Sequence, residues 1–336
     1  MSSGAESDKI CNDGACVCEV NNMLKNMSMD DTDVVVLCAN CGKEGDDINN
    51  ICNKCKQVKY CNAACKKKHK HKHKKDCEDH IRLAAEHAAK LHDEQLFKQP
   101  PPAEQGDCPI CFLRLPSFEL GRRYYACCGK IVCSGCDYAP IYDNQGNKVK
   151  SLCPFCRTPK PKSNEEAIER EKKRVEVGDT NALYNLGSLY TAGKYGLTQD
   201  YDKGLELLHR AADLGHAGAY TNIGYAYDHG EGLEIDKEKA MDYYELAAMR
   251  GNVQARNNLG SMEACAGNWD RALKHYMIAI RGGDDSLEMV KQMYSKGQVI
   301  KEDCTKALQA YQEYLGEIKS SQRDEAAAAR NDCRYY

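Results

Sequence analysis

The 336-residue chain has no apolar run approaching the ~20 residues that a membrane span needs, so no membrane segment is expected. Neither sign of charge dominates. The 47 Lys+Arg stand against 50 Asp+Glu, a net −3, and no global affinity for polyanions follows. The first thirty residues lack the basic and apolar regions of a secretory leader, so secretion is not expected. Proline is missing after residue 161, and no histidine lies between 93 and 208. Cysteine is what the chain has in excess. Of 21, three precede residue 38, seven fall in 38–77, eight in 108–156 and three after 260. A disulfide scaffold is a short secreted chain, whereas clustered pairs here point to metal in a reducing compartment, the cytoplasm or nucleus.

The length is a prior of two or three domains. Residues 1–37 hold two Lys against seven Asp+Glu without a sustained period and read as a disordered acidic tail. Cys11, Cys16 and Cys18 within it read as free thiols, because three soft ligands without a fourth do not close a tetrahedron. After the first cysteine cluster, Ile81, Ala84, Ala85, Ala88 and Leu91 recur at helical spacing, predicting a helical extension over 78–97. Three consecutive prolines stop it and make 98–107 a stiff linker. The second cluster occupies 108–157, and 158–164 reads as another linker. From 165 to 320 Ala, Leu, Tyr and Gly recur at helical spacing, leaving 321–336 as a C-terminal tail.

The first cluster runs Cys38-x2-Cys41-x10-Cys52-x2-Cys55-x5-Cys61-x3-Cys65-x7-His73-x3-Cys77. Four pairs of soft ligands, each close enough to reach one ion from a single turn, supply two tetrahedral zinc sites. A segment this short rarely folds on its core alone. Zinc would supply the missing energy, about 10–16 kcal/mol per structural site in peptides. His69 and His71 lie beside His73, and spacing alone selects His73. The ligand order, with Tyr60 before Cys61, resembles a MYND-type zinc finger. The resemblance implies interleaved sites: Cys38, Cys41, Cys61 and Cys65 on one ion, Cys52, Cys55, His73 and Cys77 on the other. Such fingers are binding modules, often for proline-rich peptides. Here Lys66 and Lys70 stand where the family usually has Gln and Trp, so the aromatic wall of that groove is missing. MYND fingers also accompany SET methyltransferases, but the Asn-His-x-Cys motif of that enzyme is absent. Residues 38–77 hold eleven Lys and four Asp+Glu. The run KKKHKHKHKK (66–75) reads as a solvated face plus a ligand loop in preference to a nucleic-acid patch.

The second cluster runs Cys108-x2-Cys111-x15-Cys127-Cys128-x4-Cys133-x2-Cys136-x16-Cys153-x2-Cys156. Pro109, Gly129 and Pro154 sit where the chain must fold back around an ion. CPIC (108–111) and CPFCR (153–157) resemble the first and last pairs of a RING finger, with cysteine at all eight positions. The resemblance implies a cross-brace with Cys108, Cys111, Cys133 and Cys136 on one zinc and Cys127, Cys128, Cys153 and Cys156 on the other. Cys127 and Cys128 are adjacent where the family normally has an intervening residue. RING fingers act as ubiquitin ligases without a nucleophile of their own, by orienting a ubiquitin-conjugating enzyme. Ile110 and Pro154 match the family's apolar contacts to that enzyme. Arg157 matches the basic residue that bonds both the enzyme and ubiquitin.

Aligning 180–316 on itself gives anchors Lys203, Lys239, Arg271 and Lys306, spaced by 36, 32 and 35. Three residues earlier stand helix N-cap candidates Asp200, Asp236, Asn268 and Asp303. Twelve residues on stand Gly215, Gly251 and Gly283, and earlier in each unit Leu186-Gly187, Ile223-Gly224 and Leu259-Gly260. Tyr190 with Gly193, Tyr227 with Gly230 and Tyr294 with Gly297 complete the pattern, while the third unit has Glu263 and Ala266 instead. Two helices per ~36 residues mean an α-solenoid. The pattern resembles Sel-one-like repeats and implies a protein-binding scaffold.

The expected architecture is therefore mainly α: two small zinc-stabilised cross-brace fingers, then an α/α solenoid of helix-pair repeats. The leading function is a zinc-binding adaptor, the solenoid binding a client protein and the fingers docking a second partner. A ubiquitin ligase recruiting substrate through the repeats is the alternative, and nucleic-acid binding through the Lys/His run ranks third. Four zinc ions are expected.

Overall fold

The computed structural model describes residues 36–45, 48–98, 106–117, 121–142, 145, 148–149, 152–283 and 286–334. Nearly all of the expected acidic tail, with its three cysteines, and most of the proline-rich linker lie outside them. Contacts divide the chain into two compact units, one ending at Lys90 and the other beginning at Leu91.

In the first unit a two-residue hairpin, β1 (Asn50–Ile51) on β2 (Lys59–Tyr60), precedes α1 (Ala63–His69). Asn62 caps α1, its side chain accepting from the Cys65 amide at 2.8 Å. Helix α2 (Lys74–Leu96) starts four residues before the expected 78, inside the ligand loop, and its residues from Leu91 on belong to the second unit. The apolar core here is Ile48 and Tyr60 with Cys38. So small a core stabilises little, and the predicted stripe Ile81, Ala84, Ala85 and Ala88 is exposed.

The second unit opens with hairpin β3 (Arg122–Tyr125) and β4 (Lys130–Cys133), pairing Arg122 with Cys133 and Tyr125 with Lys130. Short helix α3 (Ser134–Tyr138) and hairpin β5 (Ile141–Tyr142), β6 (Lys148–Val149) follow. Then come α4 (Asn164–Glu176), α5 (Thr180–Ala192), α6 (Tyr201–Asp213), α7 (Ala217–His229), α8 (Lys237–Met249), α9 (Val253–Cys265), α10 (Trp269–Arg281), α11 (Leu287–Ser295), α12 (Lys301–Ile318) and α13 (Ser321–Ala329).

Helices α5 to α12 form the solenoid as four antiparallel pairs, each sequence neighbour packing on the next. Asp200 and Asp236 accept from the amides of Lys203 and Lys239 at 3.0 Å and so start α6 and α8. Gly215, Gly251 and Gly283 turn the chain after the second helices at φ of 89°, 86° and 90°. Close approach within a pair explains the glycine of each first helix. A Cβ on Gly224 would lie 2.9 Å from the Tyr244 ring, and one on Gly260 2.6 Å from Tyr276, both tyrosines being wholly buried. In the first repeat Leu208 fills that place against Gly187.

Two expected caps differ. Asn268 stands at the N-cap of α10 without a capping bond, because its amide donates to Glu263 at 2.8 Å instead. Asp303 is the third residue of α12, not its cap; its carboxylate accepts from the Ile300 amide at 3.4 Å, which lets the helix begin at Lys301. The altered third unit is internally compensated. In units one and two the anchor lysines lie over tyrosine rings, Lys203 over Tyr190 at 4.9 Å and Lys239 over Tyr227 at 5.1 Å. Where Glu263 replaces the tyrosine, Arg271 replaces the lysine and bonds it at 2.6 Å. A salt bridge thus takes over the position of a cation–π pair.

The reading of 321–336 as a tail is corrected. Residues 321–329 form α13, which packs on α3, and a Cβ on Gly135 would lie 3.0 Å from the Arg323 backbone amide nitrogen. Its short Ala-rich sequence carries no periodic apolar stripe, so the contact is invisible locally. The 158–164 linker is likewise pinned, Lys160 bonding Asp137 at 2.7 Å and the Pro159 carbonyl accepting from Arg170 at 2.7 Å.

Candidate metal centres

Both fingers are built from one backbone device. In Cys38–Cys41, Cys52–Cys55, Cys108–Cys111 and Cys153–Cys156 the chain makes a knuckle. The residue after the second cysteine donates its amide to the first cysteine's carbonyl: Gly42 at 2.9 Å, Lys56 at 3.1 Å, Phe112 at 2.9 Å and Arg157 at 3.0 Å. That residue is left-handed in every case, with φ of 70°, 58°, 57° and 64°. Only the first knuckle places a glycine there, so the other three hold a side-chain-bearing residue in the strained left-handed region. Cys65 lies in the first turn of α1, and Cys61 stands just before its cap, the two sulfurs 3.5 Å apart. At α3, Cys133 is itself the cap, its sulfur accepting from the Cys136 amide at 3.4 Å. The adjacent pair Cys127–Cys128 lies on a turn closed by the Gly129 amide donating to the Tyr125 carbonyl at 2.8 Å, with Gly129 at φ 68°.

These devices bring the sixteen candidate ligands into four quartets. Cys38, Cys41, Cys61 and Cys65 form one; Cys52, Cys55, His73 and Cys77 the next; Cys108, Cys111, Cys133 and Cys136 the third; Cys127, Cys128, Cys153 and Cys156 the fourth. Within each, the ligand atoms all lie within 4.8 Å of one another. Cys127 joins despite its adjacency to Cys128, its sulfur 3.4 Å from that of Cys156. His73 is the histidine that lies in the quartet: its Nε2 is 3.3 Å from the Cys55 sulfur, while His69 stacks on it and bonds the Tyr60 hydroxyl at 3.2 Å.

The donor sets fit zinc. Tetrahedral zinc with ~2.3 Å bonds sets neighbouring sulfurs about 3.8 Å apart. Cys41–Cys61, Cys52–Cys77 and Cys111–Cys133 are 3.7 Å apart, and Cys128–Cys153 3.9 Å. Protonation points the same way. The amides of Cys61, Asn40 and Cys41 hold the Cys38 thiol at about 6. Burial pushes Cys52 up, but the amides of Cys55 and Lys54 and the His73 ring outweigh it and hold that thiol at about 6. Cys108 is lowered, chiefly by accepting from Cys133 and Cys136. Cys156 is held at about 6 against burial by Thr158. Cys61, whose proton goes to Cys65, is pushed up to about 12. Each quartet thus concentrates negative charge that its own thiols cannot all carry, and a divalent cation relieves it. Such an ion supplies structural cross-linking and charge neutralisation, since all four positions are protein ligands.

Two residues outside the motifs complete the second finger. Asp137 is buried, accepts from the Tyr125 hydroxyl and pairs with Lys160 at 2.7 Å and Arg123 at 3.2 Å. Arg323, from α13, is wholly buried; it donates to the carbonyls of Ile318 at 2.6 Å and Leu113 at 3.4 Å and faces the thiols of Cys133 and Cys111. No spacing signal marks either. Of the conjugating-enzyme candidates, Ile110 and Arg157 are exposed and Pro154 is half-buried. In the Lys/His run, His73 and His69 serve the finger, and Lys66 Nζ donates to the Ile51 carbonyl at 2.6 Å.

Comparison with known proteins follows the same division. The MYND finger family matches residues 38–77, and the Sel1 repeat family matches 180–216 and 217–252. Human protein sel-1 homolog 2 is 27% identical over 99 residues, 30% of this chain and 14% of the relative. The ERAD-associated E3 ubiquitin-protein ligase component HRD3B of Arabidopsis thaliana is 35% identical over 72 residues, 21% of this chain and 12% of that protein. The chitin synthase regulator SKT5 of Saccharomyces cerevisiae is 32% identical over 87 residues, 26% and 12% of the two chains. The chain therefore spans only a small part of these relatives. Among solved structures, a Sel1 repeat protein from Oxalobacter formigenes superimposes with a TM-score of 0.39 at 28% identity, covering 50% of this chain and 65% of that one. The chain thus combines a MYND finger at 38–77 with Sel1 repeats at 180–252 and a second cysteine group that fits a further zinc finger, the composition of a protein-interaction adaptor.

Proposed function

We propose that the chain joins a client protein held by the solenoid to a second protein docked on the second finger, with four zinc ions as structural cross-links. The observation that carries this is an apolar display on the second finger's metal loops. Ile110, Phe112 and Phe155 are exposed at 36%, 78% and 43%, although a finger this small has few apolar side chains to spare. Large apolar residues on a rigid metal loop form a docking surface. The compartment that suits this chain keeps thiols reduced, the cytoplasm or nucleus; among the described residues no two cysteines are joined in a disulfide. The remaining lysines of 66–75 are read as a solvated face, and nucleic acid is not a proposed partner.

A second reading makes the docked protein a ubiquitin-conjugating enzyme, with Ile110 and Pro154 as its apolar contacts and Arg157 bonding enzyme and ubiquitin together. Arg157 favours it: an exposed guanidinium on a fixed left-handed residue is held at the rim of the metal loop. The same φ offers a clean test. Arg157→Gly suits the backbone and leaves the finger's melting temperature unchanged or raised, because glycine adopts φ 64° without strain. With a panel of conjugating enzymes charged with ubiquitin, the ligase reading expects faster thioester discharge with the unsubstituted chain and at least a tenfold loss in the variant. Equal discharge by both removes the ligase reading. If Ile110→Ala and Phe155→Ala also leave capture of every finger-bound protein unchanged, the docking role fails too.

A further inference from the structure

The last turn of α2 and the residue after it lie on the solenoid. His92 Nε2 is 2.9 Å from the Glu245 carboxylate on α8, and Asp93 accepts from Arg271 on α10 at 2.5 Å. Leu96 is wholly buried. The Phe97 ring lies 4.7 Å from the His275 ring, with the Arg271 guanidinium 5.2 Å and the Lys274 ammonium 5.1 Å from its centroid. Asp93, Leu96 and Phe97 are spaced i, i+3, i+4 and so share one face of a helix. The receiving surface comes from the second helices of repeat units two and three, and it combines a carboxylate, two cations and an imidazole that burial and Arg256 keep neutral.

The segment that makes these contacts is short, residues 92–97. Every side chain from Ile81 to Lys90 is exposed. On the other side the sequence continues with Pro100, Pro101 and Pro102, residues that cannot extend a helix. The segment is thus held like a tethered helical peptide. A salt bridge and an aromatic anchor between two cations carry it, the composition of an interaction hot spot.

We infer that the α8–α10 face is the solenoid's client groove, that residues 91–97 occupy it as a tethered internal ligand, and that clients bind by presenting a carboxylate followed three and four residues later by leucine and an aromatic ring on one helix face. This deepens the adaptor reading and rests on it. A short tether gives an effective concentration of about millimolar, so only clients with affinities well below that displace the segment.

The test uses the full chain and a fluorescein-labelled peptide of residues 86–98. In the doubly substituted chain, Asp93→Lys with Phe97→Ala, the groove is vacated, and the peptide is expected to bind at least tenfold more tightly than to the unsubstituted chain. Adding Arg271→Glu is expected to abolish that gain. Equal affinity for both chains, or no binding to a doubly substituted chain of unchanged melting temperature, overturns the inference. Should that variant fail to fold, hydrogen exchange on the unsubstituted chain decides: millimolar peptide is expected to speed exchange of amides 91–97, and unchanged exchange overturns the inference. A solenoid client that binds undiminished beside saturating peptide also overturns it, yet leaves the adaptor reading standing.

Discussion

Replacing Arg323 with methionine is expected to destabilise the second unit by about 3–5 kcal/mol, the range for removing one member of a buried charge pair. The guanidinium is wholly buried between α13 and the third quartet. Burial alone would lower its pKa, but the facing sulfurs of Cys133 and Cys111 outweigh burial and raise it. A four-thiolate zinc site carries a net charge of about −2, and Arg323 is the cation placed to balance it. Methionine fills the volume but leaves that charge and the Leu113 and Ile318 carbonyls uncompensated. Zinc release to a chromogenic chelator is therefore expected to accelerate from the Cys108 quartet and not from the MYND finger. Arg323→Lys keeps the charge and loses the fork, so it is expected to fall between. Unchanged release and melting in Arg323→Met would sink this role.

Acid is expected to weaken the solenoid through His216. Its ring caps α7, Nδ1 accepting from the Ala219 amide at 3.2 Å, and stacks on Tyr184 at 4.5 Å. That bond requires the unprotonated nitrogen. Burial first, and then the Arg122 cation, hold the folded pKa at about 4. An unfolded histidine titrates near 6.5. Between those values the unfolded chain binds the extra proton, so stability is complete above about 6.5 and is lost as the pH falls towards 4. The expected loss between pH 7 and 4.5 is about 2 kcal/mol from this residue. Glu171, pushed up to about 7 by burial and Asp179, acts in the opposite sense over the same range, so the comparison is made against a variant at each pH. His216→Asn supplies it, because Asn252 caps α9 in the same way, accepting from Ala255 at 2.9 Å. Its stability advantage over the unsubstituted chain is expected to grow by that amount on acidification. A constant difference from pH 7 to 4.5 contradicts the account.

What was legible in the sequence is what short spacing encodes. Short spacing marked the pairs of soft ligands, the resemblances implied which pairs combine, and in space the sixteen positions fall into those four quartets. Repeats were legible because Gly187, Gly224 and Gly260 recur at a phase that packing against Leu208, Tyr244 and Tyr276 demands. What escaped depends on partners far away in sequence. Arg323 meets Leu113 across 210 residues, and Phe97 meets His275 from the far side of the second finger. Asp303 was misplaced because an acidic residue serves equally as a cap or within the first turn of a helix. The exchange of Tyr and Lys for Glu263 and Arg271 carries no spacing signal, because the compensating bond forms only between the folded helices.

The most direct measurement is a metal count on the purified full chain, followed by chelation. The account predicts four zinc ions per molecule. It further predicts that a strong chelator abolishes the protease resistance of 36–77 and 106–157 while most repeat helicity in circular dichroism survives. Fewer than two ions per chain, or fingers that stay protease-resistant once stripped of metal, would contradict it.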